Sequence, residues 1–244
     1  MNRIKIFYLV LLSSLGYGQN LTVNYKTVIL DPESTFVELS ENELVINPGS
    51  SMYFSTRLDT IFVTDIGDLA SNALGKRALY QFKDFKKKQV YSSLQFSGGI
   101  VIDSSYSIKW KIVNDKKSIL GYSCQGATAH FRGRDYKAYF TSEIPIKEGP
   151  FKFDGLPGLI MQVLSDDGAV KITATGIKKT EEVVVNPFSS KKDRKTMNWE
   201  EYVKIYENQF KKFEAMPITV DEKNGISMSS KTSIPKRFIE VMVQ

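Results

Sequence analysis

One cysteine and one histidine occur in 244 residues, and each scarcity closes off chemistry. With Cys124 alone, no intramolecular disulfide can form, whatever the redox compartment. With His130 alone, multi-histidine metal sites and HExxH zinc chemistry are excluded. A Ser-His-Asp triad needs only one histidine, but the GxSxG elbow that would present its serine does not occur. Ser189-x-x-Lys192 and Ser233-x-x-Lys236 match an SxxK pattern by letters alone, the first in a lysine-rich loop and the second around Pro235. No catalytic residue, metal or cofactor is nominated on these grounds. Charge of one sign is also scarce: the formal balance is +6, two units of which are Arg3 and Lys5. The dense groups Lys86-Lys87-Lys88 and Lys191–Lys195 fall in loops, so no basic face for nucleic acid is expected. No stretch reaches transmembrane length. No repeat and no Pro/Ser-rich linker divides the chain, so one domain is expected over 19–244.

Residues 1–18 have the build of an export signal. Arg3 and Lys5 form a charged start, Ile6–Leu12 an apolar middle, and Gly16-Tyr17-Gly18 a small-x-small cleavage site. The expected location is therefore periplasmic or secreted.

Beyond residue 18, period-two alternation dominates. Leu21, Val23 and Tyr25 alternate with polar neighbours in a first strand to Leu30. Short strands are expected at 36–40 and 44–46, with a turn at Asn47-Pro48-Gly49-Ser50 and a return strand at 51–57. A short helix is expected within 65–74, then strands at 78–85, 89–96, 100–103 and 106–113. Asn114-Asp115-Lys116 should turn the chain into a strand at 119–131, and Arg132-Gly133-Arg134-Asp135 into another at 136–141. Val183–Val185 reads as a further strand, and 237–243 as a last one. One helix is clear. Asn198 and Glu201 have capping-box spacing, and Trp199, Tyr202, Val203, Tyr206, Phe210 and Phe213 form one apolar stripe, with Pro217 beyond them.

The centre of the sequence is Gly149–Ile160. Leu156-Pro157-Gly158-Leu159 reads as a type II turn, with proline fixing φ at its second position and glycine supplying a positive φ at its third. Gly155 and Gly158 would let the backbone approach a neighbour closely. Leu159–Leu164 and Val170–Ala174 then form a hairpin about Asp166-Asp167-Gly168. The turn is either a structural corner or the lip of a ligand groove. It is not a phosphate loop, since no Lys-Ser/Thr and no helix follow.

The hexapeptide Gly155-Leu156-Pro157-Gly158-Leu159-Ile160 resembles the hallmark of the GLPGLI family, secreted proteins of Gram-negative bacteria. The likeness extends upstream through Trp110-Lys111-Ile112, Asp115-Lys116-Lys117, Gly121-Tyr122-Ser123-Cys124, Phe131-Arg132-Gly133-Arg134, Tyr139-Phe140 and Ile144-Pro145. It implies an exported β domain and carries over no catalytic residues.

The expected architecture is mainly β: a curved antiparallel sheet or open half-barrel with the C-terminal amphipathic helix packed on it. Aromatics at alternate positions suggest a concave apolar face. The residues nominated to line a ligand site are Trp110, Tyr122, Cys124, His130, Arg132, Arg134, Tyr139 and Pro157. Cys124 is either a buried small hydrophobe or a reactive thiol, with His130 on the same strand face. Arg132 and Arg134 are either solvated turn residues or an anion fork. The functional expectation is an exported binding or accessory protein of the envelope. It would hold an apolar small molecule or a peptide, or contact an outer-membrane protein. The alternative is an enzyme using Cys124.

Overall fold

The computed structural model describes residues 20–31, 36–63, 69–72, 80–93, 99–189, 194–214 and 239–241. The expected leader and most of the expected last strand lie outside these residues. The strands are β1 (Asn20–Asp31), β2 (Phe36–Asn47), β3 (Ser50–Val63), β4 (Leu69–Asn72), β5 (Tyr80–Asp84), β6 (Gln89–Ser93) and β7 (Ile100–Asp103). They continue as β8 (Lys111–Ile119), β9 (Tyr122–Phe131), β10 (Arg134–Thr141), β11 (Leu159–Ser165), β12 (Val170–Thr180) and β13 (Thr196–Met197), before helix α1 (Trp199–Glu214).

All thirteen strands belong to one sheet, ordered β13-β7-β6-β5-β3-β2-β1-β12-β11-β10-β9-β8, with β4 paired beside β3. Every pairing is antiparallel except the short parallel contact of β13 with β7. The two ends of this order do not pair, so the sheet is open. It is nevertheless strongly curled. Eight strand spacings separate β7 from β10, roughly 38 Å on a flat sheet. Yet Arg132, at the turn before β10, ion-pairs with Asp103 of β7 at 2.8 Å. The two wings therefore face one another across a concavity, and the expected half-barrel is present.

The two faces carry separate clusters. Leu44 pairs with Tyr53, and Val45 with Met52, so neighbouring residues point to opposite sides. The concave side holds Val23, Tyr25, Leu44 and Tyr53 together with Phe131, Leu159 and Ile172. The convex side holds Val45, Phe82, Ile100, Val184 and Phe188. Helix α1 closes the fold with Tyr206 and Phe210 buried, and its capping box is formed reciprocally. The Asn198 amide donates to Glu201 Oε2 at 2.9 Å, and the Glu201 amide to Asn198 Oδ1 at 2.8 Å.

Five expectations fail locally. Asn114-Asp115-Lys116 is not a turn but part of β8, because Asp115 is held by Lys137 and by the Tyr139 hydroxyl at 2.7 Å. The chain turns instead at Leu120-Gly121, where φ is 53° and 84°, a two-residue hairpin with both residues left-handed. Residues 106–110, expected as the start of a strand at 106–113, are irregular. Leu69–Asn72 is strand rather than helix, since β3 extends to Val63 and offers it an edge. Val183 and Val185 point to solvent, and only Val184 enters the convex cluster, so 183–185 is an irregular cover. The expected strands at 36–40 and 44–46 are one strand, β2, whose register to β3 shifts at Glu41/Asn42.

Candidate functional site on the concave face

The segment 142–158 leaves β10, lies across the concavity and returns as β11. Its close approach explains the glycines. A Cβ at Gly158 would fall 2.1 Å from the Thr141 carbonyl oxygen, and one at Gly149 2.7 Å from Ile160 Cβ. Gly158 does not adopt the positive φ of the expected type II turn; Gly155 does, at 89°. The Gly158 amide instead donates to the Leu156 carbonyl at 2.8 Å, a three-residue γ-type turn with Pro157 exposed at its centre. Glycine is needed here for space, not for φ.

Phe153 is the plug of this strap. It is fully buried, with the rings of Tyr136 at 4.9 Å, Phe131 at 6.0 Å, Phe151 at 6.3 Å and Trp110 at 6.4 Å. Leu156 is buried beside it. The apolar part of the concavity is thus filled by the chain's own side chains.

Two ionic clusters fasten the strap. In the first, Lys83 of β5 reaches Glu148 at 3.1 Å and Asp154 at 3.0 Å. The Ser51 hydroxyl donates to Glu148, the Tyr106 hydroxyl to Asp154, and the Trp110 indole to the Asp154 carbonyl. Burial, reinforced by the Asp154 charge, outweighs Lys83 and pushes the Glu148 carboxyl up to about 7. In the second, Lys152 lies between Asp103 at 2.8 Å and Glu240 at 2.8–2.9 Å, and Arg132 bridges the same two carboxylates. The Trp199 ring stacks on both cations, 3.8 Å from the Arg132 guanidinium and 4.0 Å from the Lys152 ammonium. The Asp103 carboxyl stays below its ordinary range: burial works to raise it, and the two cations outweigh burial.

The remaining concave surface, on β1–β3, is polar. The Asn42 amide donates to Thr27 Oγ1 and Ser40 Oγ, both at 2.9 Å, and Asn42 Oδ1 accepts from the Ser55 hydroxyl at 2.8 Å. Tyr53 Oη lies 3.3 Å from Thr27 Oγ1. Glu38 continues this row on β2. It is 9% exposed, and among the described residues no hydrogen bond or ion pair reaches its carboxylate. Burial alone pushes its pKa up to about 7. Carboxylates this little exposed are ordinarily paired, so Glu38 stands apart from the hydroxyl and amide groups beside it.

The residues nominated from sequence scatter around this site. Trp110 and Arg132 belong to the strap's anchorage. Arg134 is buried and donates from Nε to Asp167 at 2.9 Å, so it stabilises the 166–168 turn. Tyr139 donates to Asp115 and carries Lys117 over its ring. Tyr122 is half-buried at the start of β9. Cys124 is buried, and burial raises its thiol pKa, which keeps it protonated. His130 shares its strand face as expected, but six residues of β-strand separate them by about 20 Å. His130 is exposed and pairs with Asp135 at 2.7 Å. Sequence reading missed Glu38, Lys83, Asp103, Glu148, Lys152 and Glu240. Only the solitary position of Glu38 and Lys152 among apolar neighbours hinted at burial.

Among the described residues no group of three or more His, Cys, Asp or Glu could hold a metal ion, and no helix is long and apolar enough to cross a membrane. No curated protein matches the chain. Among solved structures, one titled "Structure of PNGF-II in P21 space group" superposes with a TM-score of 0.53 at 15% identity. It covers 79% of this chain and 34% of that one. A second crystal form, in space group C2, gives 0.51 at 14% identity, covering 79% and 33%. The chain spans about a third of the length of these structures, and the likeness is one of fold. Residues 76–204, more than half the sequence and including the strap, the charged residues of the ionic clusters other than Glu240, and the start of α1, match the family described as "N-glycanase peptide, N-terminal domain". The chain belongs to that N-terminal domain family.

Proposed function

We propose that this chain is a non-catalytic binding or accessory domain whose concave face on β1–β3 receives a polar ligand. The observation that carries the reading is the Glu38 carboxylate, on a residue only 9% exposed and without a partner among the described residues, at the end of a row of hydroxyl and amide groups. Such a group is satisfied by a ligand that brings hydrogen-bond donors. The expected apolar small molecule is less well supported, because Phe153 and Leu156 already fill the apolar part. The family description places such domains at the N-terminus of N-glycanases. The ligand proposed is therefore a glycosylated peptide, offered to a catalytic unit. The likeness to the GLPGLI family and the leader-like residues 1–18 support an exported protein at the envelope or outside the cell.

Isothermal titration calorimetry of the full chain against an N-glycosylated peptide, and against the same peptide without its glycan, tests this. Binding of the glycopeptide that weakens at least tenfold in Glu38→Gln supports it; equal affinities for both chains and both peptides overturn it.

A further inference from the structure

The convex face carries a second concavity, built by two bulges. Asn24 of β1 pairs with Gly176 and Tyr25 with Ala174, so Thr175 is an extra residue in β12. Glu41 of β2 pairs with Arg57 and Asn42 with Ser55, so Thr56 is an extra residue in β3. Because Tyr25 and Asn42 are themselves partners, the bulges lie at one level on either side of β1 and β2. Between them runs a trough of ≈ 440 Å³ lined by Asn24, Lys26, Glu41, Glu43, Thr56 and Thr175, with Tyr25 and Asn42 at its floor. That volume falls within the range of small-molecule sites. Bulges re-aim side chains, and here both present a threonine to the same space.

The charges of this trough are left open to a ligand. Lys26 and Glu41 are cross-strand partners, yet no ion pair joins Lys26 to either glutamate. Among the described residues Glu43 reaches only Lys178, at 3.6 Å and near solvent, and Glu41 forms no ion pair. The Thr56 hydroxyl donates to the Glu41 carbonyl at 3.1 Å and keeps its acceptor capacity. A cation would meet Lys26, and an anion would meet two glutamates. A hydroxyl both donates and accepts, so it can satisfy ammonium, carboxylate, amide and threonine alike.

We propose that this trough is a binding site for a neutral polyhydroxylated ligand, a saccharide unit, recognised by Thr56 and Thr175 with Lys26, Glu41 and Asn24. It lies on the opposite face of β1 and β2 from Glu38.

The test is titration of the full chain with cellobiose, maltose and N,N′-diacetylchitobiose, followed by calorimetry and NMR shift mapping. Glycine, citrate and spermidine serve as zwitterionic, anionic and cationic comparisons. At least one disaccharide is expected to bind and to shift the resonances of Thr56 and Thr175. The double substitution Thr56→Val and Thr175→Val should weaken it about tenfold or more. His130→Ala should leave that affinity within about twofold, because His130 lies outside both the trough and the concave site. If the valine variant fails to fold by circular dichroism, Lys26→Gln replaces it with the same expected loss. Absence of saccharide binding at millimolar concentration, binding untouched by the trough substitutions, an equal loss through His130→Ala, or tighter binding of a charged compound would each overturn the proposal.

Discussion

Glu148 and Glu38 sit on the same concave face, and burial pushes both carboxyls up to about 7, yet their surroundings differ in kind. Around Glu148 the chain supplies a lysine, a serine and a second carboxylate, and a strap crosses the site with Phe153 as its plug. Around Glu38 it supplies hydroxyls and an amide that satisfy one another and leave the carboxylate alone. The first arrangement is a fastening: removing any part leaves a buried charge or a hole. The second raises the free energy of the folded state at neutral pH and is retained without a structural return. That difference separates the half of the concavity that holds the protein together from the half available to a ligand.

Breaking the fastening should have the largest effects. Phe153→Ala removes a fully buried ring at the centre of four aromatic contacts. Denaturant melts should show a loss of about 3–5 kcal/mol; a loss under about 1 kcal/mol would mean that the strap is not packed as described. Lys83→Met leaves Glu148 and Asp154 facing one another without their shared cation. Near pH 8 the loss should again be about 3–5 kcal/mol. It should shrink toward pH 5, where Glu148, already raised to about 7, is protonated. A cost independent of pH would contradict the ionic account.

Smaller effects sharpen the comparison from outside it. Cys124, buried with a raised thiol pKa, should react with iodoacetamide only when the protein is unfolded. Rapid labelling of the native chain would reopen the thiol-enzyme reading. His130→Ala removes an exposed pair with Asp135 and should change stability by less than about 0.5 kcal/mol.

Much of this fold could be read from sequence where local chemistry decides. The alternation of β1, the Arg132-Gly133 hairpin and the Asn198/Glu201 cap are all local, and all are present. Reading failed where partners far along the chain override local preference. Asn114-Asp115 has the composition of a turn, but Lys137 and Tyr139 hold Asp115 in a strand, and Leu120 takes the left-handed turn that asparagine would ordinarily favour. The site was harder still. Lys83 meets Asp154 71 residues away, and Lys152 meets Glu240 88 residues away, and no spacing rule links them. On β2, the polar pair Glu41-Asn42 reads as a break, which made one strand read as two short ones; Glu38, Ser40 and Asn42 share one face. They are the inner face, because the sheet curls over them.

The most direct measurement is the stability of Glu38→Gln against the parent chain as a function of pH. Folded Glu38 has a pKa of about 7 against an ordinary 4.5, so the folded state binds more protons between those values. Stability from this group therefore falls as pH rises through that window, and the full penalty is present above pH 7. Glutamine carries no such penalty. The variant should be more stable than the parent by roughly 3 kcal/mol at pH 8, and the two should converge below pH 4.5. A variant less stable than the parent at pH 8 would show that Glu38 is a paired structural carboxylate, and the concave site would lose its foundation.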